Sequence, residues 1–319
     1  MKERASIYVA GAKTMIGAAI QGELRRQGFS NVVNGLHDEP DPTDAKEVEA
    51  FFDKMAPEYV FVTGGKSGGI QANLKYPAEL SRDALLVSCN VIHSAYEHRV
   101  KKLLYLASSC VYPRDCSQPM QVTSILTGPL EPTNEAYAAA KIAGIKLCQA
   151  YRQQFGADFI SAIAANNFGP GDDFDPEDSH VIAALIRRMH EANKLGTKSV
   201  EIWGSGNPRR EFIFVDDLAD ACILLMREYD DVTPVNIGSG TALSIKELAE
   251  LVKEVVSYRG EIYYNTSKPD GMPAKILDST VLTAMGWKPR VSVRSALRAT
   301  YNWFLEMEQG GTPASTTAE

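Results

Sequence analysis

The stretch Ala5-Ser-Ile-Tyr-Val-Ala-Gly-Ala-Lys-Thr-Met-Ile-Gly17 decides the fold of this chain. A short apolar run ends at Gly11, and Gly17 follows as a helical pattern begins. Glycines in this context permit a tight strand-to-helix turn, and the helix N-terminus favours the pyrophosphate of a dinucleotide. The spacing departs from the strict pattern at Thr14, where glycine is usual and where a hydroxyl could also bond a phosphate. The stretch predicts a dinucleotide-binding first domain.

Downstream of this turn, short β-rich runs alternate with helical patterns. We predict strands at 31–33, 59–63, 102–107 and 158–165, and helices at 16–27, 44–55, 78–98 and 133–155. Such alternation is typical of a Rossmann-type α/β fold, a doubly wound parallel sheet with helices on both faces.

From Asn166 onward the alternation becomes irregular, which predicts a smaller C-terminal α/β substrate-binding lobe. We expect the NAD(P)-binding domain at 1–165, with a return segment at about 211–237. The substrate lobe would then comprise 166–210 and 238–309, and 310–319 would be a disordered tail. Within the return segment we predict a strand at 212–215, with Asp216 as the cap of the helix that follows.

The composition fits a compact protein with one large core or two adjoining lobes, because 45% of its 319 residues are hydrophobic and 23% are charged. A net charge of -7 without a basic run argues against a nucleic-acid or membrane surface. The cysteines have irregular spacings and form no metal-ligand pattern, so we expect reduced thiols, no metal and a cytoplasmic enzyme. No apolar run approaches the length of a membrane span. The cysteines are Cys89, Cys110, Cys116, Cys148 and Cys222.

Tyr137 and Lys141 give the first indication of chemistry. Since they stand four residues apart on a predicted helix, they share a face, and the ammonium can favour the ionised phenol and lower its pKa. A tyrosine tuned in this way can donate or accept a proton near neutral pH. The pair follows a strand that ends in Ser108-Ser109-Cys110 and accompanies a dinucleotide turn, and the combination predicts an oxidoreductase.

The residues leave the choice between NAD and NADP open. Asp38 and Glu39 follow the turn by about 20 residues, where an acid would bind the ribose hydroxyls of NAD. Lys13 and His37 could instead face the 2′-phosphate of NADP.

Longer motifs extend over most of the chain. Through these motifs the chain resembles the GDP-L-fucose synthase family of extended short-chain dehydrogenases/reductases. The resemblance implies a GDP-sugar substrate, GDP-4-keto-6-deoxy-D-mannose, that is epimerised at C3 and C5 and then reduced at C4, with NADP(H) as cofactor and NAD(H) as the alternative. The motifs are Lys66-Ser-Gly-Gly-Ile70, Ser108-Ser-Cys-Val-Tyr-Pro113, Leu130-Glu-Pro-Thr-Asn-Glu135, Tyr137-Ala-Ala-Ala-Lys-Ile-Ala-Gly-Ile-Lys-Leu-Cys148, Ser179-His-Val-Ile182, Trp203-Gly-Ser-Gly206, Arg210-Glu-Phe212 and Lys268-Pro-Asp-Gly271.

The resemblance also implies catalytic roles. Cys110 would be the base and His180 the acid of epimerisation, since both groups titrate near working pH. Tyr137 would protonate the C4 oxygen, Ser108 would hydrogen-bond it, and Lys141 would lower the pKa of Tyr137. On the residues alone, Cys110 could equally fill the core at a strand end, and His180 could cap a helix.

The binding residues are likewise implied by the resemblance. A homodimer is also implied, paired through helices that flank the sheet, one of them the Tyr137 helix. For the cofactor the residues are Gly11, Lys13, Thr14, Met15, Ile16, Gly17, His37, Lys141, Asn166 and His180. For the GDP-sugar they are Arg188, Trp203, Arg210 and Lys275, with the adjacent Arg187 as the alternative to Arg188.

Several positions depart from the family pattern. In the turn, Lys13 and Thr14 replace arginine and glycine, and His37 replaces a second arginine, which weakens the case for NADP without removing it. Asp83 replaces asparagine and Ala274 replaces arginine near the sugar and nucleotide pockets. The alternatives are therefore a colitose-type or 6-deoxy-heptose GDP-4-keto sugar, a 4-reductase without epimerisation, a UDP-sugar 4-epimerase, or a non-catalytic nucleotide sensor.

Overall fold

Strands and helices alternate along the chain in the computed structural model, which describes residues 1–33, 39–268, 270 and 272–310. None of the helices in these ranges combines the length and the apolar character needed to cross a bilayer. The strands are β1 (Ile7–Ala10), β2 (Tyr59–Val62), β3 (Lys102–Ser108), β4 (Phe159–Ala164), β5 (Asn166–Phe168), β6 (Ser199–Trp203), β7 (Arg209–Phe214), β8 (Val235–Ile237), β9 (Ala242–Ser244), β10 (Glu261–Asn265) and β11 (Ala274–Lys275). The helices are α1 (Met15–Arg26), α2 (Ala45–Met55), α3 (Ile70–Lys75), α4 (Pro77–Glu97), α5 (Glu135–Phe155), α6 (Val181–Leu195), α7 (Val215–Glu228), α8 (Ile245–Val256), α9 (Thr280–Ala284) and α10 (Val293–Glu308).

A five-stranded parallel sheet, in the order β1-β2-β3-β4-β8, forms the centre of the larger lobe. Two pairs of helices cover it: α4 packs beside α5, and α1 packs beside α7. Strands covered on both faces must be apolar on both faces, and β1 and β4 are buried at every residue. The predicted doubly wound parallel sheet is confirmed.

The order of the sheet reverses at β1. Tyr59 of β2 pairs with Ile7 on one side, and Val32 forms a single parallel bridge with Ile7 on the other. This bridge takes the place of the strand predicted at 31–33. Ligands of such sheets bind in the crevice outside the carboxyl ends of the strands at the reversal. Gly11, which follows β1 directly, therefore lies at the expected ligand crevice.

The second lobe has a core of its own around β7. This strand pairs with β5 and β11 in parallel and with β9 in antiparallel fashion, while β6 and β10 form a separate parallel pair. Helices α6, α8 and α10 pack together over these strands. Phe168, Phe212, Leu248 and Phe304 belong to the apolar cluster beneath them. The chain thus builds two apolar cores with the end of β4 and the start of β5 between them.

The start of α7 corrects one expectation. The N-cap of this helix is Phe214, so the predicted cap at Asp216 is wrong. Asp216 lies within the first turn, where its charge favours the helix dipole and its carboxylate is 3.9 Å from Arg26. Asp217 accepts hydrogen bonds from the amides of Arg290 and Val291. Because β7 continues directly into α7, the acidic side chains serve tertiary contacts and leave the cap position to an apolar residue.

Candidate functional site

The turn between β1 and α1 has the close backbone approach that a dinucleotide site requires. Gly11 has a φ of 96°, and a Cβ atom there would lie 2.6 Å from the Cα of Gly64. A Cβ atom at Gly17 would lie 2.0 Å from the carbonyl oxygen of Gly11. Neither position can hold a larger residue without movement of the backbone. The narrow turn fits a pyrophosphate placed at the start of α1.

Thr14 is the N-cap of α1. Its hydroxyl donates to the carbonyl oxygen of Gly11 at 2.7 Å and accepts from the amide of Gly17 at 3.1 Å. The side chain therefore forms its hydrogen bonds to backbone groups of the turn itself. A bond from it to a phosphate would compete with this cap. Met15 and Ile16 form the half-buried first residues of the helix, and Lys13 is exposed beside them.

Glu39 holds the same turn from outside. Its Oε1 accepts the amides of Gly11 and Ala12, both at 2.8 Å. A carboxylate bonded to the turn itself is a poor candidate for the ribose-binding acid of NAD. His37 and Asp38 lie outside the described residues, so the roles predicted for them stay predictions.

The predicted reduction residues meet Cys110 at the carboxyl end of β3. Cys110 is buried in a 3₁₀ turn at Ser109–Val111, within hydrogen-bond reach of the Ser108 side chain. Helix α5 packs on this turn and carries Tyr137 and Lys141. The Nζ atom of Lys141 lies 5.7 Å from the centroid of the Tyr137 ring and donates to the carbonyl oxygen of Leu106 at 3.4 Å. The structure therefore brings these four side chains together.

Burial controls the ionisation of Tyr137 and Lys141. It raises the pKa of Tyr137 well above the usual value, and the nearby Cys110 adds to the effect. This direction is opposite to the one predicted from the Tyr–Lys spacing, because the loss of water around a phenolate disfavours its negative charge. Tyr137 is a protonated phenol at neutral pH and can act as a proton donor. Burial also lowers the pKa of Lys141 to about 8.

The charge of Lys275 lowers the pKa of both predicted epimerisation residues. Burial raises the pKa of the Cys110 thiol, while the Lys275 ammonium, the Ser108 hydroxyl and Lys141 lower it. Desolvation and the Lys275 ammonium lower the pKa of His180. One ammonium thus favours a thiolate at Cys110 and a neutral imidazole at His180. His180 stands at the N-cap position of α6, but its ring makes no capping bond.

We refer to the region around Cys110, His180 and Lys275 as the cleft. Comparison with known proteins identifies the family to which the chain belongs. A family model for NAD dependent epimerases/dehydratases matches residues 7–238. The chain belongs to the NAD dependent epimerase/dehydratase family.

This epimerase/dehydratase is 52% identical over 302 residues to GDP-L-fucose synthase 1 of Arabidopsis thaliana, with 95% of the chain and 94% of that relative covered. A solved GDP-6-OMe-4-keto-L-xylo-heptose reductase from C. jejuni is 33% identical, with a TM-score of 0.89 over 96% of this chain and 99% of that one. A GDP-L-fucose synthetase from Naegleria fowleri, solved with NADP bound, is 26% identical, with a TM-score of 0.87 and 98% of each chain covered. The resemblance to GDP-L-fucose synthases is confirmed.

The adjacent arginines on α6 of the epimerase/dehydratase have different surroundings. Arg187 is held by Glu191, with its Nε 2.6 Å from the carboxylate, and donates to the carbonyl oxygen of Phe174 at 2.8 Å. The side chain of Arg188 is exposed. This supports Arg188 as the member of the pair that faces a ligand.

The other predicted sugar-site residues fall on two strand pairs. Arg210 and Lys275 are partners in the register of β7 and β11, so Lys275 links Arg210 to the Cys110 and His180 group. Trp203 ends β6 on a separate pair, 52% exposed, with the Nζ of Lys268 5.0 Å from its ring centroid. Trp203 therefore stands on an element apart from the catalytic group, whereas Arg188 lies on α6, the helix that begins at His180.

Asn166 and Glu211 connect β7 to the segments around it. The Asn166 side-chain amide, predicted to bind the cofactor, donates to the carbonyl oxygen of Glu211 at 2.9 Å. The Glu211 side chain is fully buried and accepts the amides of Gly240 at 2.7 Å and Leu277 at 2.8 Å. It thereby fixes the segment that carries Lys275. The sequence analysis missed Glu211, although an acid inside an apolar strand pattern is an available signal.

Asp83, which departs from the family pattern, is accommodated by neighbouring cations. Its carboxylate is buried, 3.8 Å from the Nζ of Lys66 and 3.1 Å from Arg82. The extra charge relative to asparagine is therefore balanced locally, and the pair with Lys66 ties α4 to the loop after β2.

One group of possible metal ligands lies on the described surface away from the cleft. Ligand atoms of Glu49, Asp53 and His98 lie within 4.8 Å of one another. The His98 ring is already bonded to Glu49 at 2.8 Å, and Ser94 donates to the same carboxylate at 3.1 Å. These contacts tie α2 to α4 and give the group a structural role.

Proposed function

We propose that this chain is an NADPH-dependent epimerase/reductase that converts GDP-4-keto-6-deoxy-D-mannose to GDP-L-fucose. The observation that carries the proposal is that two sets of proton-handling groups are linked through Lys275, whose charge acts on both Cys110 and His180. Ser108, Tyr137 and Lys141 suit reduction of a carbonyl, whereas Cys110 and His180 suit proton exchange at carbon. A simple reductase has no need of the second set. The 52% identity to a GDP-L-fucose synthase supports the same assignment.

We propose NADP(H) as the cofactor. The close approach at Gly11 and Gly17 fits a pyrophosphate, and the exposed Lys13 offers a positive charge to a 2′-phosphate. Glu39 is engaged by the turn, which removes one of the two acids that favour NAD. When bound, NADPH supplies the hydride for C4. The residues proposed to hold it are Gly11, Lys13, Thr14, Met15, Ile16, Gly17, Lys141, Asn166 and His180.

In the proposed epimerisation, the C4 carbonyl acidifies the hydrogens at C3 and C5. Because the pKa of Cys110 is raised and that of His180 is lowered, the reactive state, a Cys110 thiolate with a protonated His180, is the minor one at neutral pH. In that state the Cys110 thiolate takes a proton from the carbon, and the electron pair moves onto the C4 oxygen as an enolate. Ser108 and Tyr137 donate hydrogen bonds to that oxygen. The protonated His180 returns a proton to the opposite face of the carbon. Cys110 is left protonated and His180 neutral, and both exchange protons with water before the second carbon reacts.

The reduction step uses the protonated state of Tyr137. As C4 accepts a hydride, its oxygen takes the phenolic proton and becomes a hydroxyl group. The phenolate left behind is stabilised by the Lys141 ammonium close to its ring. A high pKa of Tyr137 before the reaction keeps this proton in place until the C4 oxygen gains negative charge.

The direct test supplies GDP-4-keto-6-deoxy-D-mannose with NADPH or NADH in separate reactions. Nicotinamide absorbance reports reduction, and NMR identifies the sugar. We expect GDP-L-fucose, formed faster with NADPH. A product with unchanged C3 and C5, or no oxidation of either cofactor, would contradict the proposal.

Two variants separate the half-reactions. Cys110→Ser should slow epimerisation by about 10²–10⁴-fold and leave a reduced sugar of unchanged configuration. Tyr137→Phe should stop NADPH oxidation while C3 and C5 still exchange protons with deuterium oxide. Cys116→Ser, at a half-buried loop thiol, is the matched control and should behave as the wild type.

A related GDP-4-keto heptose is the second candidate substrate. The likeness to the C. jejuni heptose reductase, with a TM-score of 0.89, favours it, as do the departures at Asp83 and Ala274. Oxidation of NADPH with a GDP-4-keto heptose, but not with GDP-4-keto-6-deoxy-D-mannose, would select this candidate.

We also propose a homodimer paired through α4 and α5 and a cytoplasmic location. Helix α4 exposes Leu85 and Leu86, and α5 exposes the small side chains of Ala139 and Ala143, which permit close helix packing. The location rests on the five free cysteines, which suit a reducing compartment.

A further inference from the structure

We propose that Gly68, Gly69 and Asn73 are positioning residues that set where His180 stands in the cleft. They belong to the β2–α3 loop (residues 63–69) and to α3, both part of the larger lobe. The inference rests on the proposed function, because His180 is argued to return a proton to the reacting carbon. Nothing in this loop touches a reacting atom, so its effect passes through His180.

The loop contacts the backbone immediately before His180. The amide of Gly69 donates to the carbonyl oxygen of Asp178 at 2.8 Å. A Cβ atom at Gly69 would lie only 2.6 Å from the carbonyl oxygen of Ser179, and one at Gly68 would lie 3.4 Å from that of Asp178. The two segments of the chain, the β2–α3 loop and the residues before His180, therefore touch with no room for a side chain between them.

The same loop is held rigidly from its own side. Asn73 is buried, and its Nδ2 donates to the carbonyl oxygens of Gly68 and Gly69, both at 2.9 Å. An asparagine amide has two hydrogens, and both are used here. Lys66 adds an ion pair to the buried Asp83 at 3.8 Å. The position of Gly69 is thereby fixed relative to α3 and α4.

At its other end the loop contacts the dinucleotide turn. Gly64 approaches Gly11 so closely that a Cβ atom on Gly11 would lie 2.6 Å from the Cα of Gly64. Cys110 belongs to the larger lobe, whereas His180 starts α6 of the second lobe. The β2–α3 loop thus sets the separation of the two epimerisation groups across the lobes. Since misplacement of about 1 Å can cost about 10²-fold in rate, this separation matters to catalysis.

A purely structural role would have a different signature from a positioning role. Loss of general stability lowers epimerisation and reduction together. Displacement of His180 alone leaves Cys110 able to remove protons and Tyr137 able to support reduction. Protons would then return to the original face, and the product would shift toward a reduced sugar of unchanged configuration.

The test is Gly69→Ala, with Gly22→Ala as the matched control. The methyl group at Gly69 must displace the Ser179 carbonyl, whereas a Cβ atom at Gly22 in α1 meets nothing within 4 Å. For Gly69→Ala we expect the ratio of unepimerised to epimerised product to rise about tenfold or more. Exchange of C3 and C5 hydrogens in deuterium oxide and the melting temperature should stay near wild-type values. Gly22→Ala should leave the product ratio unchanged.

Two further measurements keep the proposal falsifiable if Gly69→Ala does not fold. Asn73→Ala releases the loop without adding atoms and should shift the product ratio in the same direction. Proton NMR of the His180 ring should show its pKa move toward the ordinary value as the ring leaves Lys275. Equal loss of both products, or an unchanged ratio in both variants, overturns the positioning role. Absence of C3 and C5 exchange in the wild type overturns the proposed function itself.

Discussion

The ionisation of Lys141 is expected to make the proposed reduction depend on pH. Its side chain is buried, and its Nζ lies 5.4 Å from the Tyr105 ring centroid and 5.7 Å from that of Tyr137. Two aromatic faces attract a cation, but burial disfavours it, and the balance lowers the pKa of Lys141 to about 8. The residue is therefore charged at neutral pH and loses its charge in mildly alkaline solution.

We predict an alkaline limb in the pH profile of NADPH oxidation. As pH rises through about 8, Lys141 loses its proton and the phenolate of Tyr137 loses its stabilising neighbour, so the rate should fall about tenfold per pH unit. In Lys141→Arg the guanidinium stays charged, and the limb should move upward even if the maximal rate is lower. Lys146→Arg, exposed on the same helix, is the control and should keep the limb. An unmoved limb in Lys141→Arg would assign it to another group.

Asp172 is expected to limit stability at alkaline pH. It is buried, accepts the amide of Asp173 at 2.9 Å, and its pKa is raised to about 7 by burial. A folded pKa above the unfolded value means that this carboxyl contributes stability below pH of about 4, which is lost as pH rises to about 7. Asp172→Asn should therefore raise the unfolding free energy at pH 8 by about 2–4 kcal/mol.

Urea unfolding at pH 8 and at pH 4 measures this effect. The gain of Asp172→Asn should nearly vanish at pH 4, where the wild-type carboxyl is neutral in the folded state and close to its pKa in the unfolded state. Asp115→Asn, at an exposed carboxyl away from Asp172, should change little at either pH. An equal gain at both pH values would show that packing, and not charge, is responsible.

At the scale of elements, the sequence locates helices well where caps and periodicity agree. Asp44 caps α2, so the start predicted at 44 lies within a residue of the observed one. The short strands β5, β9 and β11 were missed, because two or three residues are too few to show a period. Their pairing with β7 depends on chain segments far apart in sequence.

Some residues of the candidate site can likewise be identified from the sequence, and others cannot. Local spacing on one turn and one helix is enough to identify four of its residues, Gly11, Gly17, Tyr137 and Lys141. It is not enough for Glu211, because the role of this residue comes from amides that lie 29 and 66 residues away along the chain. The pKa of Tyr137 also escaped prediction, since spacing shows the nearby lysine but not the extent of burial.

Thr14 provides a prediction about the first helix. Thr14→Ala removes the hydroxyl that caps α1 and should lower the unfolding free energy by about 1 kcal/mol. Thr14→Ser keeps the hydroxyl, and Thr14→Gly should cost only a few tenths of a kcal/mol. Urea unfolding at neutral pH compares the series. Equal stabilities of the alanine and serine variants would show that the cap contributes nothing.

At the scale of the whole molecule, the proposed catalytic residues come from both lobes. Glu211 holds the Lys275 segment against β7, and the β2–α3 loop holds the segment before His180. One lobe supplies Cys110 and Tyr137, and the other supplies His180 and Lys275. The chemistry is therefore a property of the assembled chain, and the surface outside the cleft remains available for pairing between copies.

The last prediction concerns that surface. Helix α4 exposes Leu85 by 39% and Leu86 by 37%, and α5, which packs on α4, exposes Ala139 and Ala143. In the proposed homodimer these side chains are buried against a second copy. Leu86→Glu would place an unpaired carboxylate in an apolar interface, which costs free energy on every association. We expect this variant to be monomeric by light scattering at concentrations where the wild type is a dimer.

The matched control for the dimer is Leu195→Glu. Leu195 is more exposed, at 80%, but ends α6 in the second lobe, away from α4 and α5. If general surface apolarity drives association, both variants should dissociate, and Leu195→Glu more completely. If α4 and α5 form the interface, only Leu86→Glu should dissociate. A dimeric Leu86→Glu variant would place the interface elsewhere, and a monomeric wild type would remove the homodimer from the proposal.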